Sequence, residues 1–524
     1  MGFKGLSMTQ RQHRRRLYSV RSVIAACLSA VLAGCAVSPP ALENPVSTGA
    51  PMSLAAADAR HDEDRQRRPR VGNNTGLRRV AGVVQTGALL VKAAYIEPLI
   101  RPVSTELALI SLVLKSTGGF VRRVAIDLVQ FQRLEREPIP PLAQGPGMDL
   151  ERWERDLDRI GGVASTGRIE FLIDGDEFFP RLIGAIEGAQ RSVDIRTYIF
   201  DNDDYAVQVA DLLRSRSEDV EITVLLDGIG ALLGAQADPE SLPVDHRPPV
   251  SMTAYLRNDS EVRVRTGGNP WLTGDHTKTT IIDGRQAFVG GMNIGREYRY
   301  EWHDMMMEVT GPIVDVLQRD SDRAWARASV FGDFAAFAHA FTRPDRRADD
   351  QGYPIRALYT RHQNSEIYRV QLAAIRRARS YIFIENAYFS DDLVLYELAK
   401  ARRRGVDVRV ILADHGNHGL LNRSNAVATN ILLRNGIRVY RYPGMSHLKA
   451  AVYDGWACVG SANFDKLSLQ VNKELNLATS DPETVDELLL RVFATDFERS
   501  EELHAPVPVT WTNYLAEFAS DEMF

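Results

Sequence analysis

The sequence predicts an α/β fold built from two copies of one unit, with a helical segment in front of them. Short β-rich runs alternate with helical runs from residue 165 onward, which is typical of a sheet flanked by helices. The same order of runs returns after residue 355. Two stretches of the form His-x-Lys-x-x-x-x-Asp also stand at matching places in the two copies, with their histidines 171 residues apart.

Composition and charge limit the classes of protein that fit. The 524 residues are 44% hydrophobic and 25% charged, which is ordinary for a globular protein. A net charge of -5 does not attract polyanions, which argues against a nucleic-acid binder. A local basic cleft is still compatible with this net charge. Three cysteines are too few for a disulfide framework.

Residues 1–34 are interpreted as a signal peptide. Arginines precede an apolar stretch over residues 23–33, which is too short to span a bilayer comfortably. The stretch ends in Leu32-Ala-Gly-Cys35, which resembles a bacterial lipobox, and this resemblance implies that Cys35 carries the lipid. Because no Asp follows Cys35, we expect a lipid-anchored protein of the bacterial cell envelope, at the periplasmic face of the outer membrane.

Two segments separate the signal peptide from the repeats. Residues 35–78 are rich in Pro, Ala, Asp and Arg without periodicity, which predicts a flexible tether. Residues 79–150 form a predicted helical extension, in which charges interrupt the apolar stretches and argue against a membrane span. Helices lying on a membrane and helices covering the catalytic body both fit this pattern, and the second interpretation is favoured.

The two copies have similar boundaries. The first repeat is predicted over 165–342 and the second over 355–500, joined by a stretch rich in charges and proline. In each copy a strand-helix series ends in a buried strand followed by an aspartate, Asp227 or Asp414. Residues 501–524 remain as a C-terminal tail.

The repeated motif carries the candidate chemistry. Its catalytic set is His276, Lys278, Asp283, His447, Lys449 and Asp454. A Gly-[Gly/Ser]-x-Asn turn follows each motif and ends in Asn293 or Asn463, and an acidic residue stands further on, Asp304 or Glu474. One His-x-Lys-x-x-x-x-Asp arises by chance in roughly 0.01 of such chains. Two of only eight lysines fall in the motifs, which indicates that a compact point charge is needed there.

The spacing within the motif suits phosphodiester chemistry. A His and a Lys two positions apart on a strand project to the same face, and two copies related by a pseudo-twofold axis bring both pairs into one cleft. One neutral imidazole can then attack phosphorus while the other protonates the leaving oxygen. The lysines and the asparagines Asn293 and Asn463 can hold the phosphoryl oxygens. Asp283 and Asp454 would point to the opposite strand face, so within the motif we interpret them as structural.

These residues resemble the phospholipase D superfamily, whose signature is the same motif and turn present twice. The resemblance covers about 165–500, and Val193–Phe200, Val224–Gly230 and Trp302–Pro312 are similar to the bacterial cardiolipin synthase branch. It implies a duplicated phospholipase D-like fold, with two α/β/α repeats packed as a pseudo-dimer and the active site between them. It also implies that Asp304 and Glu474 orient the histidines. The same precedent makes His276 the nucleophile and His447 the acid, although symmetry allows the reverse.

The resemblance implies a membrane-anchored enzyme that acts through a covalent phosphohistidine. It is either a phosphatidyltransferase like cardiolipin synthase or a phospholipase D, with a phospholipid such as phosphatidylglycerol as substrate. We expect no cofactor and no metal, because the sequence has no metal-ligand signature. A metal-independent nuclease of the same superfamily is the alternative, although the acidic chain makes nucleic acid a poor partner. A non-catalytic envelope protein is a third reading, disfavoured because both His-Lys pairs are intact.

Overall fold

A computed structural model describes residues 87–125, 130–234, 239–243, 245–339, 352–416 and 419–522. The predicted signal peptide (1–34), the predicted lipidation site Cys35 and the predicted tether (35–78) lie outside the described residues. So do residues 79–86 of the predicted helical extension. Within the described part of the chain, no helix is both long and apolar enough to cross a membrane.

One large mixed sheet runs through both repeats. Its strands have these bounds: β1 Ser165–Ile173, β2 Ser192–Thr197, β3 Glu221–Leu226, β4 Arg263–Thr266, β5 Thr279–Ile282, β6 Gln286–Gly290, β7 Met305–Thr310, β8 Tyr353–Arg361, β9 Asn364–Ser365, β10 Tyr381–Asn386, β11 Asp407–Ala413, β12 Arg438–Tyr442, β13 Lys449–Tyr453, β14 Trp456–Gly460, β15 Glu474–Thr479 and β16 Glu501–Leu503.

The strand order confirms the predicted duplication. Along the sheet the first repeat has the order β4-β3-β2-β5-β6-β7-β1, and the second has the equivalent order β12-β11-β10-β13-β14-β15-β8. In each repeat the first three of these strands are parallel and the next ones antiparallel. β1 and β8 join the repeats as antiparallel neighbours, with Ser165 opposite Ile355. A pseudo-twofold axis therefore relates the two α/β halves.

Helices cover the faces of this sheet. Their bounds are α1 Glu97–Ile100, α2 Pro102–Ala125, α3 Gln132–Leu134, α4 Leu150–Ile160, α5 Asp174–Gly188, α6 Asp204–Arg216, α7 Gly228–Gly234, α8 Met252–Arg257, α9 Arg296–Tyr300, α10 Ile313–Arg327, α11 Gly332–His339, α12 Glu366–Arg377, α13 Asp392–Arg403, α14 Gly419–Arg434, α15 Pro482–Leu488, α16 Thr495–Arg499 and α17 Trp511–Glu522. Equivalent helices begin alike: Asp203 caps α6 and Asp391 caps α13, each accepting a hydrogen bond from a first-turn amide.

The buried apolar residues form one core in each repeat and a third core that both repeats share. On the shared side, Val309 and Ile281 of the first repeat pack in the same cluster as Leu477 and Val452 of the second. Because this cluster continues from one repeat into the other, the two repeats are held as one pseudo-dimer.

The helical extension and the C-terminal segment both belong to the folded body. Just after the extension, Trp153 on α4 meets Trp456 of the second repeat edge-on, with ring centroids 5.3 Å apart. On α2, the buried Ala108 and Leu109 pack against Trp271, whose Nε1 donates to the carbonyl of Thr105 at 2.9 Å. The extension therefore covers the catalytic body, as favoured. The C-terminal segment is not a free tail, because β16 pairs with β12 and α17 packs on α14.

Candidate active site

Each motif lies where an extended segment enters a central strand of its repeat. β5 begins directly after Lys278, and Lys449 is the first residue of β13. Nζ of Lys278 donates to the carbonyl oxygen of His276 at 2.9 Å, and Nζ of Lys449 donates to the carbonyl oxygen of His447. Both lysines are buried. The local geometry is thus the same in the two repeats.

The two histidines are held by carboxylates that come from the opposite repeat. Nδ1 of His276 donates to Glu474 at 3.0 Å, and Nδ1 of His447 donates to Asp304 at 2.6 Å. A proton fixed on Nδ1 leaves the lone pair on Nε2, which is the nitrogen that can attack or transfer a proton. The predicted orienting residues therefore contact the histidines, but each one serves the motif of the other repeat.

Two short backbone bridges produce this crossing. Asp275, just before His276, pairs in parallel with Lys473, just before Glu474. Ser446, just before His447, pairs in the same way with His303, just before Asp304. The amide of His276 donates to the carbonyl of Lys473 at 2.9 Å, and the amide of His447 donates to that of His303 at 2.7 Å. These bridges therefore join the two repeats at the site, across the pseudo-twofold axis.

The Gly-[Gly/Ser]-x-Asn turns support the two carboxylates. In the second repeat, the Ser461 hydroxyl donates to Glu474 at 2.6 Å. In the first repeat, the equivalent position is Gly291, where a Cβ atom would collide with the carboxylate of Asp304. The second residue of each turn thus fits the carboxylate beside it. Ser461 donates a hydrogen bond to Glu474, and Gly291 leaves the space that the Asp304 carboxylate occupies.

Comparison with known protein families shows which family has this arrangement of residues. The family model described as "Cardiolipin synthase, PLD-like domain" matches residues 182–325 and 372–496, which hold both motifs and both acidic residues. The chain belongs to this family. It is therefore an enzyme of the phospholipase D superfamily, as the sequence predicted.

Individual relatives agree with the family. The chain is 31% identical over 375 residues to cardiolipin synthase A of Pseudomonas fluorescens (strain SBW25), an alignment that covers 66% of this chain and 73% of that protein. It is 28% identical to cardiolipin synthase B of Salmonella typhi, over 67% of this chain and 86% of that one. Among solved structures, the phosphatidylserine synthase of Haemophilus influenzae Rd KW20 shares the fold at 14% identity, with a TM-score of 0.55 over 71% of this chain and 100% of its own.

Burial sets the protonation of this cardiolipin synthase-like site. Burial lowers the pKa of His276 below its usual value, which favours the neutral imidazole that a nucleophile requires. It also lowers the pKa of Lys278 to about 7 and that of Lys449 to about 8. Burial raises the pKa of Asp304 to about 6. The cluster therefore carries costly buried cations, which an anionic phosphodiester would stabilise.

The two predicted phosphate-binding asparagines differ in their surroundings. The Asn293 side-chain oxygen accepts from the amide of Ile199 at 3.0 Å, and its nitrogen donates to the Tyr298 hydroxyl at 2.7 Å. This amide is therefore engaged in holding the loop after β2. The Asn463 side-chain oxygen is buried and has no hydrogen-bond partner among the described residues. Phosphate binding by either side chain stays a prediction.

Asp283 and Asp454 do not contact the catalytic groups, so their place in the catalytic set needs correction. Both have positive φ angles, 54° and 48°, at the turn that ends the motif strand. Asp283 accepts hydrogen bonds from the amides of residues 190–192, and Asp454 accepts them from the amides of Met148 and residues 379–381. They fix the loop that leads into β2 or β10. The contacts of Asp283 and Asp454 therefore fit the structural interpretation and not a catalytic role.

Buried charges flank the site on both sides, and the sequence did not reveal them. Arg196 makes two hydrogen bonds to Asp275, at 2.7 and 2.8 Å, and Lys473 reaches the same carboxylate at 3.3 Å. These two cations neutralise the buried charge of Asp275. Their charge also holds the pKa of Asp275 below its usual value, against the effect of burial.

The opposite flank is built on a histidine. Nδ1 of His303 donates to Asp174 at 2.7 Å, and its Nε2 donates to Asp496 at 3.0 Å, with Glu385 close by. His303, Glu385 and Asp496 lie close enough to share a metal ion. However, each ring nitrogen of His303 already donates a hydrogen bond to a carboxylate. His303 is therefore an imidazolium within a buried cluster of charged groups. His303 thus supports the site through its position beside Asp304.

Aromatic rings complete the surroundings of the two histidines. Tyr198 packs edge-on against His276, with ring centroids 4.9 Å apart, and lies 5.3 Å from Nζ of Lys278. Trp302 packs against His447 at 5.3 Å. The signal for Tyr198 and Trp302 in the sequence was only their position at strand ends near the motifs. These rings restrict the imidazoles to the orientation set by their carboxylates.

Proposed function

We propose that this enzyme transfers a phosphatidyl group between alcohols, with phosphatidylglycerol as both donor and acceptor. Cardiolipin and glycerol are then the products. The crossed pairs His276–Glu474 and His447–Asp304 carry the proposal, because they supply two oriented imidazoles beside two lysines. The two relatives named above are cardiolipin synthases, which supports this class of lipid.

The proposed reaction has two balanced displacements. In the first, Nε2 of neutral His276 attacks phosphorus, the P–O bond to glycerol breaks, and the leaving oxygen takes a proton from His447. In the second, neutral His447 accepts the proton of the head-group hydroxyl of a second phosphatidylglycerol, whose oxygen displaces His276 from phosphorus to give cardiolipin. Lys278 and Lys449 stabilise the charge on the non-bridging oxygens in both steps. Water in place of the alcohol would give phosphatidic acid.

The proposed lipid anchor places the enzyme beside its substrate. The lipobox-like sequence supports diacylation of Cys35, and the segment 35–78 would then link the anchor to the body at the periplasmic face of the outer membrane. Labelling cells with a radioactive fatty acid tests this part. The label should enter the wild-type chain and be absent from Cys35→Ala.

Product analysis tests the activity. The chain starting after Cys35, with His276→Ala and His447→Ala as controls, is incubated with phosphatidylglycerol vesicles, and the lipids are read by mass spectrometry. Cardiolipin and glycerol that are absent with both variants support transfer. Phosphatidic acid alone would identify a hydrolase. Cleavage of an oligonucleotide without any lipid turnover would contradict the proposal and favour the nuclease.

A further inference from the structure

Helix α2 is apolar on both of its sides, although only one side packs on the protein. Its inner side holds the buried Ala108 and Leu109 against Trp271. Its outer side carries four large apolar residues at spacings of four, three and four, which place them on one helical face: Val103, Leu107, Ile110 and Leu114. Their exposed fractions range from 40% to 67%. We refer to these four residues as the outer face.

Neighbouring elements extend this apolar surface. The amides of Val103 and Ser104 donate to Asp333 at 3.0 and 3.2 Å, which fixes α11 beside the start of α2. On α11, Phe334 is 69% and Phe337 67% exposed. The C-terminal helix α17 also packs against α2 and begins with Trp511, which is 72% exposed. Exposed apolar side chains on three neighbouring helices are typical of an interaction site.

A cavity with a small excess of basic side chains lies between the extension and α10. It is lined by Glu97, Arg101 and Ser104 from the extension, by Arg327 from α10 and by Lys473 and Asp275. Glu97 pairs with Arg101, and Asp275 pairs with Lys473. A second cavity shares Arg327 and Lys473 and adds Arg196, Arg323, Arg361, Glu474 and Asp320, whose carboxylate pairs with Arg196 and Arg361. Nε of Arg327 is buried without a hydrogen-bond partner among the described residues. Burial and the charges of Lys473, Lys115 and Arg327 lower the pKa of His362 in the same cavities to about 3.

From these observations we infer that the outer face, together with Phe334, Phe337 and Trp511, binds to an anionic phospholipid surface. The apolar side chains enter the bilayer interface, and Arg323 and Arg327 meet the phosphates of the lipid head groups. The inference rests on the proposed phospholipid substrate. It adds which surface of the chain meets the membrane and why that surface adjoins the site.

Three features of the chain favour a membrane over other occupants of this surface. The cations beside it complement anionic head groups, and aromatic residues such as Trp511 and Tyr95 suit the interface between water and lipid. The outer face also lies in the segment that follows the predicted anchored tether. Residues 36–78 have few large apolar side chains, so this segment of the chain is not suited to cover the outer face. A second copy of the chain remains the competing occupant.

Vesicle binding of the unacylated chain, residues 36–524, tests the inference. This chain contains every residue that the structure describes. One variant is Leu107→Ser/Ile110→Ser/Leu114→Ser, and a second, on another element, is Phe334→Ser/Phe337→Ser. The matched control is Val163→Ser/Leu490→Ser, which removes two residues that are 83% and 69% exposed outside this surface. Sedimentation with phosphatidylglycerol vesicles measures binding, and turnover is compared between vesicles and dispersed short-chain phosphatidylglycerol.

Both face variants should bind vesicles at least about tenfold more weakly than wild type, while the control binds like wild type. Their ratio of vesicle turnover to short-chain turnover should fall in parallel. Arg323→Gln/Arg327→Gln should lose the preference for phosphatidylglycerol over phosphatidylcholine vesicles. Unchanged vesicle binding by folded face variants would overturn the inference, as would a dimer that these variants break while vesicle binding persists. Vesicle binding through this face without any lipid turnover would instead contradict the proposed function alone.

Discussion

Nδ1 of His447 donates to Asp304 across 2.6 Å, although the two residues belong to different repeats. The reciprocal pair, His276 and Glu474, crosses the pseudo-twofold axis in the opposite direction. Each histidine thus depends for its tautomer on a carboxylate that the other repeat supplies. This relationship makes the acidic residues as sensitive a target for mutation as the histidines themselves.

The first prediction concerns Glu474. Glu474→Gln should lower kcat by about 10³- to 10⁴-fold, because an amide no longer stabilises the tautomer and the charge of His276. Ser461→Ala, which removes one hydrogen bond to the same carboxylate, should cost only about tenfold. Steady-state kinetics on phosphatidylglycerol checks both values, with a thermal melt to confirm folding. Glu474→Gln activity within tenfold of wild type would contradict an orienting role.

The second prediction separates the roles of the two histidines. A phosphatidyl ester with a good leaving group, such as p-nitrophenol, needs no proton from an acid. His447→Ala should therefore release nitrophenol in a burst close to that of the wild type, whereas His276→Ala should release none. Absorbance in a stopped-flow instrument measures the burst. The reverse pattern would make His447 the nucleophile.

The third prediction concerns the stability cost of Lys278. Its pKa of about 7 in the fold lies below the usual value of 10.5, so between these pH values the unfolded chain holds a proton that the folded chain has released. Stability therefore rises with pH across that window. Lys278→Met should abolish activity yet raise the Tm of the lipid-free protein at pH 6 by roughly 2 °C, with a smaller gain at pH 9. A lower Tm for this variant at pH 6 would show that the buried ammonium is net stabilising.

The fourth prediction concerns His303. Hydrogen bonds to Asp174 and Asp496 raise its pKa well above the usual value, against the effect of burial. Stability from a raised pKa is fully present below about pH 6.5 and is lost as pH rises through the folded value. His303→Gln should therefore be several degrees less stable than wild type at pH 6, with the gap narrowing at alkaline pH. A gap that does not change with pH would mean that His303 is neutral in the fold.

The sequence predicted those features that depend on local spacing and repetition. The two-residue step from His276 to Lys278 predicted that both lie on a strand, and the structure has them in the extended segment just before β5. The recurring strand-helix order predicted the duplication, which the strand order confirms. The positions of Asp283 and Asp454 past each strand correctly suggested a structural role. All three inferences use neighbours in sequence or a repeat of the same pattern.

The features that the sequence did not predict arise from contacts between distant segments. Which carboxylate meets which histidine depends on the bridges of Asp275 to Lys473 and of His303 to Ser446. The same bridges bring Asp275 beside Arg196, with which it forms a buried ion pair. The sequence left open whether the helices of the extension lie on a membrane or cover the body, because a helix with apolar residues on both sides suits either place until its partners are known.

The crossed pairs also govern when the enzyme becomes active during its synthesis. Translation yields His276 and its lysine about two hundred residues before Glu474, so a chain that ends before Glu474 has this histidine without its carboxylate. Neither repeat can assemble a competent imidazole alone. A complete site therefore needs both repeats, and it can form only after the chain has been made as far as Glu474.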